Sequence, residues 1–194
     1  MTAARRGRPR GFDADVALRQ ASDAFRDGGY ASTSLDDIVR ATGLNRPSLY
    51  AAFGDKKALY LTAIRTLRDD IERSFDRLEA ANLTPSQSLR TVVAQSVEAY
   101  VAGPSGPRGC LAICTAAAEA VADADIREML AEVLALIDQR TAVFFTRAGC
   151  AEPERQARLL ASMLHSLSIR ARSGTHREAL DQLAADALAL MAPE

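Results

Sequence analysis

The sequence predicts an all-α protein in which a small N-terminal helical unit is joined to a larger helical C-terminal part. Apolar residues recur at spacings of three and four along most of the chain, and no segment shows the alternation of a β-strand. Cap residues, glycines and prolines divide this pattern into separate helices. The chain has 194 residues, of which 48% are hydrophobic and 25% charged, enough for one small and one larger unit. We predict three parts, at residues 1–11, 12–57 and 58–194.

The first helix of the N-terminal unit is predicted from about Asp13 to Asp27. Gly28 and Gly29 end it, because glycine readily adopts the left-handed conformation at a helix C-terminus. The face predicted to be buried consists of Val16, Ala17, Ala21, Ala24 and Phe25. In front of this helix, residues 1–11 combine arginines with glycine and proline without apolar periodicity, which predicts a disordered basic arm.

Two short helices meeting at a tight turn are predicted in the segment TSLDDIVRATGLNRPSLYAAFGDK, residues 33–56. Ser34 is a good N-cap for the first helix, and Gly43 ends it. Asn45 caps the second helix, with Pro47 in the first turn, where a missing N–H costs little. The apolar residues at helical spacing are Leu35, Ile38, Val39, Leu49 and Phe53. This arrangement is a helix-turn-helix pattern.

The second of these helices is predicted to present a face to an anionic partner. Arg46 lies at its N-terminus, where a cation opposes the helix dipole. Ser48, Tyr50, Ala51 and Ala52 occupy the face that the apolar stripe does not use. A cation, a hydroxyl, a phenol and two small side chains suit the DNA major groove, where they would read guanine, bind phosphate and touch thymine methyls. The alternative interpretation is an ordinary exposed helix face.

The segment from Phe12 to Tyr60 resembles the DNA-binding domain of the TetR/AcrR family of bacterial transcriptional regulators. The most specific part is LNRPSLYAAFGDKKALY, at Leu44–Tyr60. The resemblance implies a three-helix helix-turn-helix DNA-binding domain followed by a larger helical ligand-binding and dimerisation domain. It also implies a double-stranded DNA operator and a small-molecule inducer as partners. The DNA contacts that it implies are Thr33 and Ser34, which would meet phosphate, and Arg46, Pro47, Ser48, Tyr50 and Lys56.

The charge distribution agrees with a nucleic-acid partner for the N-terminal end. Up to Tyr60 the chain has ten Lys+Arg against seven Asp+Glu, and beyond it fourteen against eighteen. In the arm, Arg6, Arg8 and Arg10 would enter a DNA minor groove, because the negative potential of narrow A·T-rich grooves attracts arginine. The alternative is that the arm is only a solubilising tail.

A long fourth helix is predicted to link this unit to the remainder, from Lys56 to about Ala81. Its apolar stripe consists of Leu59, Ala63, Ile64, Leu67, Ile71, Phe75 and Leu78. Lys56 and Lys57 carry the wrong sign for a helix N-terminus, a conflict that Asp55 as a cap relieves in part and an overlying phosphate would relieve further. Further helices are predicted at Pro85–Ala102, Cys110–Val121, Ile126–Ala148, Pro153–Ser173 and Thr175–Met191.

Two cysteines are candidate sensor residues. Cys110 follows Arg108 and opens a predicted helix, and both a nearby cation and a helix N-terminus stabilise a thiolate. Cys114 lies one turn later on the same face. The segment PRGCLAICTAAAEA, at residues 107–120, resembles the glycine-cysteine-leucine segment of a TetR subgroup, some members of which sense electrophiles or oxidants. The alternatives are small hydrophobic residues packed in the core, or a metal site that lacks further ligands nearby.

The last two predicted helices are rich in alanine and leucine, and either pack internally or meet a second copy of the chain. The family resemblance favours a two-fold homodimer built on a four-helix bundle from these segments. His165 is interpreted as a core or interface histidine, or as a ligand contact. Tyr100, Phe144 and Phe145 are interpreted as core residues, or as the lining of a cavity.

The sequence also argues against several classes of protein. No run approaches the roughly 20 apolar residues that span a bilayer, and no secretory signal is present, so we expect no membrane contact and a cytoplasmic protein. The three cysteines do not indicate a disulfide framework. We find no nucleophile with a paired base, no metal cluster and no phosphate loop, and therefore expect neither an enzyme nor a cofactor. The competing functions are an all-helical enzyme or carrier that uses the helix-turn-helix only structurally, and an activator or unselective DNA binder.

Overall fold

The computed structural model describes residues 12–103 and 106–191. All the regular structure within these two ranges is helical. The helices are α1 (Ala14–Gly28), α2 (Leu35–Thr42), α3 (Arg46–Phe53), α4 (Lys56–Ala80), α5 (Pro85–Val101), a π-helical turn (Ala112–Ala116) leading into α6 (Ala117–Glu119), α7 (Ala124–Arg147), α8 (Pro153–Arg172) and α9 (Arg177–Met191). The predicted arm with Arg6, Arg8 and Arg10 lies outside the described residues. Among the described helices, none combines the length and the apolarity that a bilayer span requires.

Local capping interactions set the starts of the first four helices, and the sequence predicts three of the four caps, at Ser34, Asn45 and Asp55. The side chains of Asp13, Ser34, Asn45 and Asp55 each accept hydrogen bonds from backbone N–H groups in the first turn of the helix that follows. Gly43 ends α2 with a φ of 66°, the left-handed conformation that favours glycine. These contacts span only a few residues, so the sequence pattern locates them well.

Helices α1 to α3 pack around one another and around the start of α4. Phe25, Ile38 and Leu49 are buried at the centre, and the ring of Tyr60 meets that of Phe25 edge-on at a centroid distance of 5.0 Å. The predicted boundary between residues 57 and 58 therefore falls in the first turn of a continuous helix that packs with both parts of the protein. The prediction for Val16 is wrong, because this side chain is 39% exposed on the outer face of α1.

The C-terminal part is a helical bundle centred on α7 and α8. Helix α8 packs against α5, α7 and α9, and α4 packs along α7. Phe144 and Phe145 are buried in the core, as one of the two interpretations predicts, whereas Tyr100 is buried and also lines a cleft, so that both interpretations apply to it. The predicted helix over Cys110–Val121 is shorter and irregular, because the π-helical turn occupies its centre and α6 ends at Glu119.

Candidate functional site

The outward face of α3 is open to solvent, as a DNA-reading helix requires. Leu49 is buried beneath the helix and Phe53 is half-buried, whereas Arg46, Pro47 and Tyr50 are exposed, Tyr50 to 45%. Ser48 is half-buried, and its backbone N–H donates to the Asn45 side chain at 2.9 Å. The cation, the hydroxyl and the phenol predicted from the sequence therefore lie on one short, rigid helix.

Arg46 is held in place by an acidic residue of the preceding helix. Its Nη2 lies 2.8 Å and its Nε 3.3 Å from the same carboxylate oxygen of Asp36. The hydrogen bond with this carboxylate, followed by its charge, raises the pKa of Arg46. Both side chains are exposed, so a phosphate or a guanine base can reach the guanidinium from solvent.

Ser34 lies at the exposed N-terminus of α2. Its Oγ accepts from the backbone N–H of Asp37, and the Asp37 carboxylate accepts from the backbone N–H and the hydroxyl of Ser34, which completes a capping box. The hydrogen bonds from Ser34 lower the pKa of the Asp37 carboxyl group. A helix N-terminus with an exposed hydroxyl suits a phosphate, in keeping with the contact that the family resemblance implies for Ser34.

Thr33 serves the fold instead of facing solvent. Its side chain is only 3% exposed, and its hydroxyl donates to the carbonyl oxygen of Gly29 at 2.6 Å and to that of Ala24 at 3.2 Å. Its backbone N–H also donates to Gly29. The phosphate contact predicted for Thr33 is therefore not compatible with this position, because the side chain ties the end of α1 to the start of α2.

The two lysines at the start of α4 have different surroundings. Lys56 Nζ lies 4.5 Å from the ring centroid of Tyr30 and keeps a half-exposed position beside α3. Lys57 Nζ instead lies 2.7 Å from a carboxylate oxygen of both Asp123 and Asp125. Hydrogen bonds with these carboxylates raise the pKa of Lys57, and the bond from Lys57 lowers that of Asp123. The carboxylates of Asp123 and Asp125, at the start of α7, thus balance the charge of Lys57, and Lys57 needs no overlying phosphate.

Comparisons with known proteins show that this chain is similar to bacterial transcriptional regulators. The family model described as bacterial regulatory proteins, tetR family, matches residues 17–63. The HTH-type transcriptional repressor ComR of Escherichia coli K12 is 29% identical over 195 residues, which cover 95% of this chain and 91% of ComR. A cysteine mutant of the TetR-family transcriptional regulator CifR, solved with 26-base-pair double-stranded operator DNA, is 31% identical with a TM-score of 0.77, over 94% of this chain and 98% of CifR.

This chain belongs to the TetR family. It is a DNA-binding transcriptional regulator, and membership in the glycine-cysteine-leucine subgroup remains a prediction. The transcriptional regulator AcuR of Cereibacter sphaeroides is also 30% identical over 155 residues, 76% of this chain and 70% of AcuR. A TetR-family regulator from Agrobacterium tumefaciens shares the fold, with a TM-score of 0.82 at 18% identity.

In this TetR-family protein, Cys110 is in a poor environment for a thiolate. The side chain is 7% exposed, and burial raises the pKa of its thiol. The cation predicted to lower it, Arg108, points instead to Asp23 and Asp27, at 2.8 and 3.3 Å. The structure therefore favours the alternative of a packed cysteine at Cys110, and the sensor role of Cys110 and Cys114 stays a prediction.

Cys114 lies in the same neighbourhood but is half-buried. Its Sγ is 3.3 Å from the Oγ of Ser168, which accepts a hydrogen bond from the backbone N–H of Cys110 at 2.8 Å. Within the two described ranges, no group of three or more His, Cys, Asp or Glu residues is placed to hold a metal ion. His165 is half-buried, its Nε2 meets no hydrogen-bond partner among the described residues, and burial lowers its pKa.

The junction between the DNA-binding helices and the bundle contains contacts that sequence reasoning missed. Tyr60 and Thr115 join α4 to the π-helical turn, with their hydroxyl oxygens 2.5 Å apart. Arg172 of α8 donates to the carbonyl oxygens of Arg26 and Asp27 at the end of α1, at 2.6 and 3.2 Å. The partners are far apart in the sequence, and only a lone arginine or tyrosine marks each position, so no local pattern reveals the pairing.

A cleft of about 790 Å³ opens beside this junction. Most of its lining comes from helices α1, α4 and α5, and the start of the π-helical turn contributes to it as well. Its volume lies in the range of small-molecule sites, roughly 300–1,000 Å³. Residues of the DNA-binding part, from α1, and residues of the bundle therefore line the same cleft.

Proposed function

We propose that this TetR-family protein is a repressor that binds a near-palindromic double-stranded operator as a homodimer. The observation that carries the proposal is the open outward face of α3 beside the N-termini of α2 and α4. The DNA-contacting residues that we propose are Ser34, Arg46, Pro47, Ser48, Tyr50 and Lys56. Arginine and lysine would neutralise phosphates or read guanine, and the hydroxyl groups would fix the position of the backbone.

The helix boundaries support this role for the surface. α3 is only 8 residues long, and its buried Leu49 fixes the outward direction of the other side chains. A short rigid helix fits the width of the major groove. That CifR is solved with operator DNA supports the same use of the corresponding helices here. In the arm, Arg6, Arg8 and Arg10 would add minor-groove contacts. A protein that acts on chromosomal operators would work in the bacterial cytoplasm.

The homodimer is supported by apolar surface on the last two helices. Leu159 and Ile169 on α8 and Leu190 on α9 are exposed to 47%, 56% and 88%. Exposed apolar side chains clustered on packed helices are typical of a surface that a second copy covers. A two-fold dimer would place two copies of α3 about one DNA turn apart, on related half-sites.

Release of the operator would follow from a change in the spacing of the two α3 helices. We propose that a small-molecule inducer binds a form whose α4 is repositioned, so that binding shifts the population away from the DNA-competent form. The Tyr60–Thr115 contact supports a pivot at the π-helical turn, because it joins α4 directly to that segment. Modification of Cys110 is the weaker route, since its thiol is buried.

The direct test is duplex binding to the DNA upstream of the protein's own gene, measured by fluorescence anisotropy. The double variant Tyr50→Phe, Lys56→Ala is expected to weaken binding by about tenfold or more, because each change removes a group proposed to contact phosphate. It is also expected to lower the slope of log K against log salt. Thr33→Val is the matched control, since it removes a hydroxyl that lies inside the fold, and should leave the affinity of the folded protein unchanged.

Three outcomes would count against this function. Wild-type affinity in the Tyr50→Phe, Lys56→Ala variant would mean that the duplex does not meet this surface, and no duplex binding by the wild type would mean that the helix-turn-helix serves only the fold, as in an all-helical enzyme or carrier. Equal affinity for the upstream region and for random duplex of the same length, with a steep salt dependence, would indicate an unselective DNA binder. A ligand panel added to the same assay tests whether a small molecule releases the duplex.

A further inference from the structure

Arg26 is a cation of the cleft that forms no direct ion pair among the described residues, although the charge of Asp23 acts on it from a greater distance. Its Nε donates to the carbonyl oxygen of Gly109 at 2.6 Å, and its Nη2 donates to that of Ala99. Among the described residues, no Asp or Glu oxygen lies within 4.0 Å of its guanidinium. The side chain is half-buried, and burial lowers its pKa, with a further contribution from the charge of Arg108. A partly desolvated guanidinium of this kind gains most from an incoming anion.

The acidic residues of the cleft are engaged elsewhere or stay at its mouth. Asp23 and Asp27, the two carboxylates of α1 nearest in sequence to Arg26, both pair with Arg108, at 2.8 and 3.3 Å. Asp70 pairs with Arg73 at 2.5 Å, and both side chains are exposed. The charged residues that line the cleft are Arg19, Arg26, Arg73 and Arg77 against Asp15, Asp23 and Asp70. With four arginines against three aspartates, the lining as a whole does not repel an anion.

Apart from Arg26, the lining of the cleft includes apolar side chains that are still partly exposed to solvent. Leu18 of α1, Leu67 and Ile71 of α4, and Ile113 of the π-helical turn all line the cleft and are half-buried. Each packs on one side against the hydrophobic core and leaves its other side facing the cleft. Covering such surface stabilises a complex by about 25 cal/mol for each Å² removed from water.

We infer that this cleft binds an amphipathic carboxylate, whose apolar chain lies along α4 and whose carboxylate pairs with Arg26. A carboxylate matches the planar guanidinium and supplies the ion-pair partner that Arg26 lacks among the described residues. A neutral molecule of the same shape would bury the same apolar surface without balancing this charge. A cationic one would lie beside an unpaired cation in a partly dry site and bind worst.

The site offers a direct route to regulation, and this step rests on the proposed function. The two carbonyl oxygens that Arg26 bonds belong to α5 and to the loop before the π-helical turn, whereas Arg26 itself belongs to α1. A bound carboxylate competes with both oxygens for the guanidinium. Ligand binding therefore weakens contacts that hold the DNA-binding helices against the bundle, which alters the spacing of the two α3 helices in a dimer.

The test compares three probes with the same ten-carbon chain by isothermal titration calorimetry: decanoate, decan-1-ol and decyltrimethylammonium. We expect saturable binding of decanoate to the full chain, about tenfold or more tighter than decan-1-ol, and weakest binding of the cation. Arg26→Gln is expected to remove the preference for decanoate while keeping the affinity for decan-1-ol. Arg155→Gln is the matched control, since Arg155 is exposed, already paired with Glu152 and not part of the cleft lining, and should leave decanoate affinity within about twofold.

A second variant tests the same cleft if Arg26→Gln does not fold. Thr66→Trp introduces bulk into the cleft from a half-buried position on α4 and leaves Arg26 intact, so it should abolish binding of both decanoate and decan-1-ol. Equal affinity of the wild type for decanoate and decan-1-ol would overturn the proposal, as would wild-type decanoate binding in both variants. Duplex affinity measured without any probe tests the repressor assignment separately, and decanoate added to that assay should lower it.

Discussion

At the scale of single residues, Asp36 governs how Arg46 is presented to DNA. The pair holds the guanidinium in a defined direction on the exposed face, where its long side chain would otherwise sample many rotamers. The same carboxylate places a negative charge beside the surface proposed to meet phosphates. Asp36 thus orients Arg46 and, if the proposed contact forms, would compete with DNA for it, and these two effects have opposite signs.

We predict that Asp36→Asn raises duplex affinity by about three- to tenfold at low salt. The substitution removes a charge that repels phosphate and releases Arg46, while the amide oxygen still accepts a hydrogen bond. Fluorescence anisotropy at two salt concentrations would measure the effect, which should shrink as salt screens the charge. A fall in affinity would mean that orientation of Arg46 by a full charge matters more than the repulsion.

A second prediction at this scale concerns the reactivity of Cys110. Because burial raises the pKa of its thiol, the thiolate fraction near neutral pH is lower than that of an ordinary cysteine, and access is restricted. Iodoacetamide should modify the half-buried Cys114 and Cys150 before Cys110, and the rate at Cys110 should rise only at pH values above the usual thiol range. Peptide mass spectrometry over time gives the three rates, and in urea they should converge. Fastest modification at Cys110 in the folded protein would restore it as a sensor.

At the scale of elements, α4 is attached at its start to two segments of the bundle. Lys57 bonds Asp123 and Asp125 at the beginning of α7, and Tyr60 bonds Thr115 in the π-helical turn. The Thr115 hydroxyl donates to the Leu111 carbonyl oxygen, so the Tyr60 hydroxyl is the donor in their shared bond. Helix α4 therefore cannot turn without changing contacts on which the shape of the bundle depends.

We predict that Tyr60→Phe lowers the free energy of unfolding by about 1 kcal/mol, the net value of one buried hydrogen bond. The Tyr60 ring is fully buried and would keep its packing, and burial raises the pKa of its hydroxyl to about 12, so only the hydrogen bond is lost. Urea unfolding followed by circular dichroism measures the change. Tyr50→Phe is the matched control, because Tyr50 is exposed and should affect duplex binding instead of stability. Equal stability of the Tyr60→Phe protein and the wild type would argue against this contact.

At the scale of the whole molecule, three of the seven large apolar side chains that are exposed among the described residues lie on the last two helices. Leu159, Ile169 and Leu190 lie on the last two helices, whereas Val121, 83% exposed, lies in the turn before α7. The last two helices pack on each other and on the bundle through their opposite faces. This leaves a surface of two neighbouring helices for a second copy of the chain.

We predict that Ile169→Glu produces a monomer at concentrations where the wild type is a dimer, because the interface would bury an unpaired charge. Sedimentation equilibrium measures the oligomeric state. Duplex affinity should fall by about a hundredfold or more, since a monomer loses the gain from binding two half-sites at once. Val121→Glu, the matched control, should remain a dimer with unchanged affinity. A dimeric Ile169→Glu protein would place the interface elsewhere.

The sequence by itself determined the helical architecture and the DNA-binding face. Apolar spacing located the helices within a few residues, and the N-caps Ser34, Asn45 and Asp55 marked starts that the structure reproduces. Such interactions connect residues three or four positions apart, so they depend little on the rest of the fold. The outward position of Arg46 and Tyr50 followed from the same periodicity, since Leu49 had to face inward.

Tertiary structure alone decided the surroundings of individual side chains. The pairing of Lys57 with the start of α7 and the raised pKa of the Cys110 thiol both depend on elements distant in the sequence. The cleft beside Arg26 also depends on tertiary structure, because residues of α1, α4 and α5 have to come together to line it. Charge balance and desolvation act through space, so a neighbour along the chain, such as Arg108 next to Cys110, does not determine them.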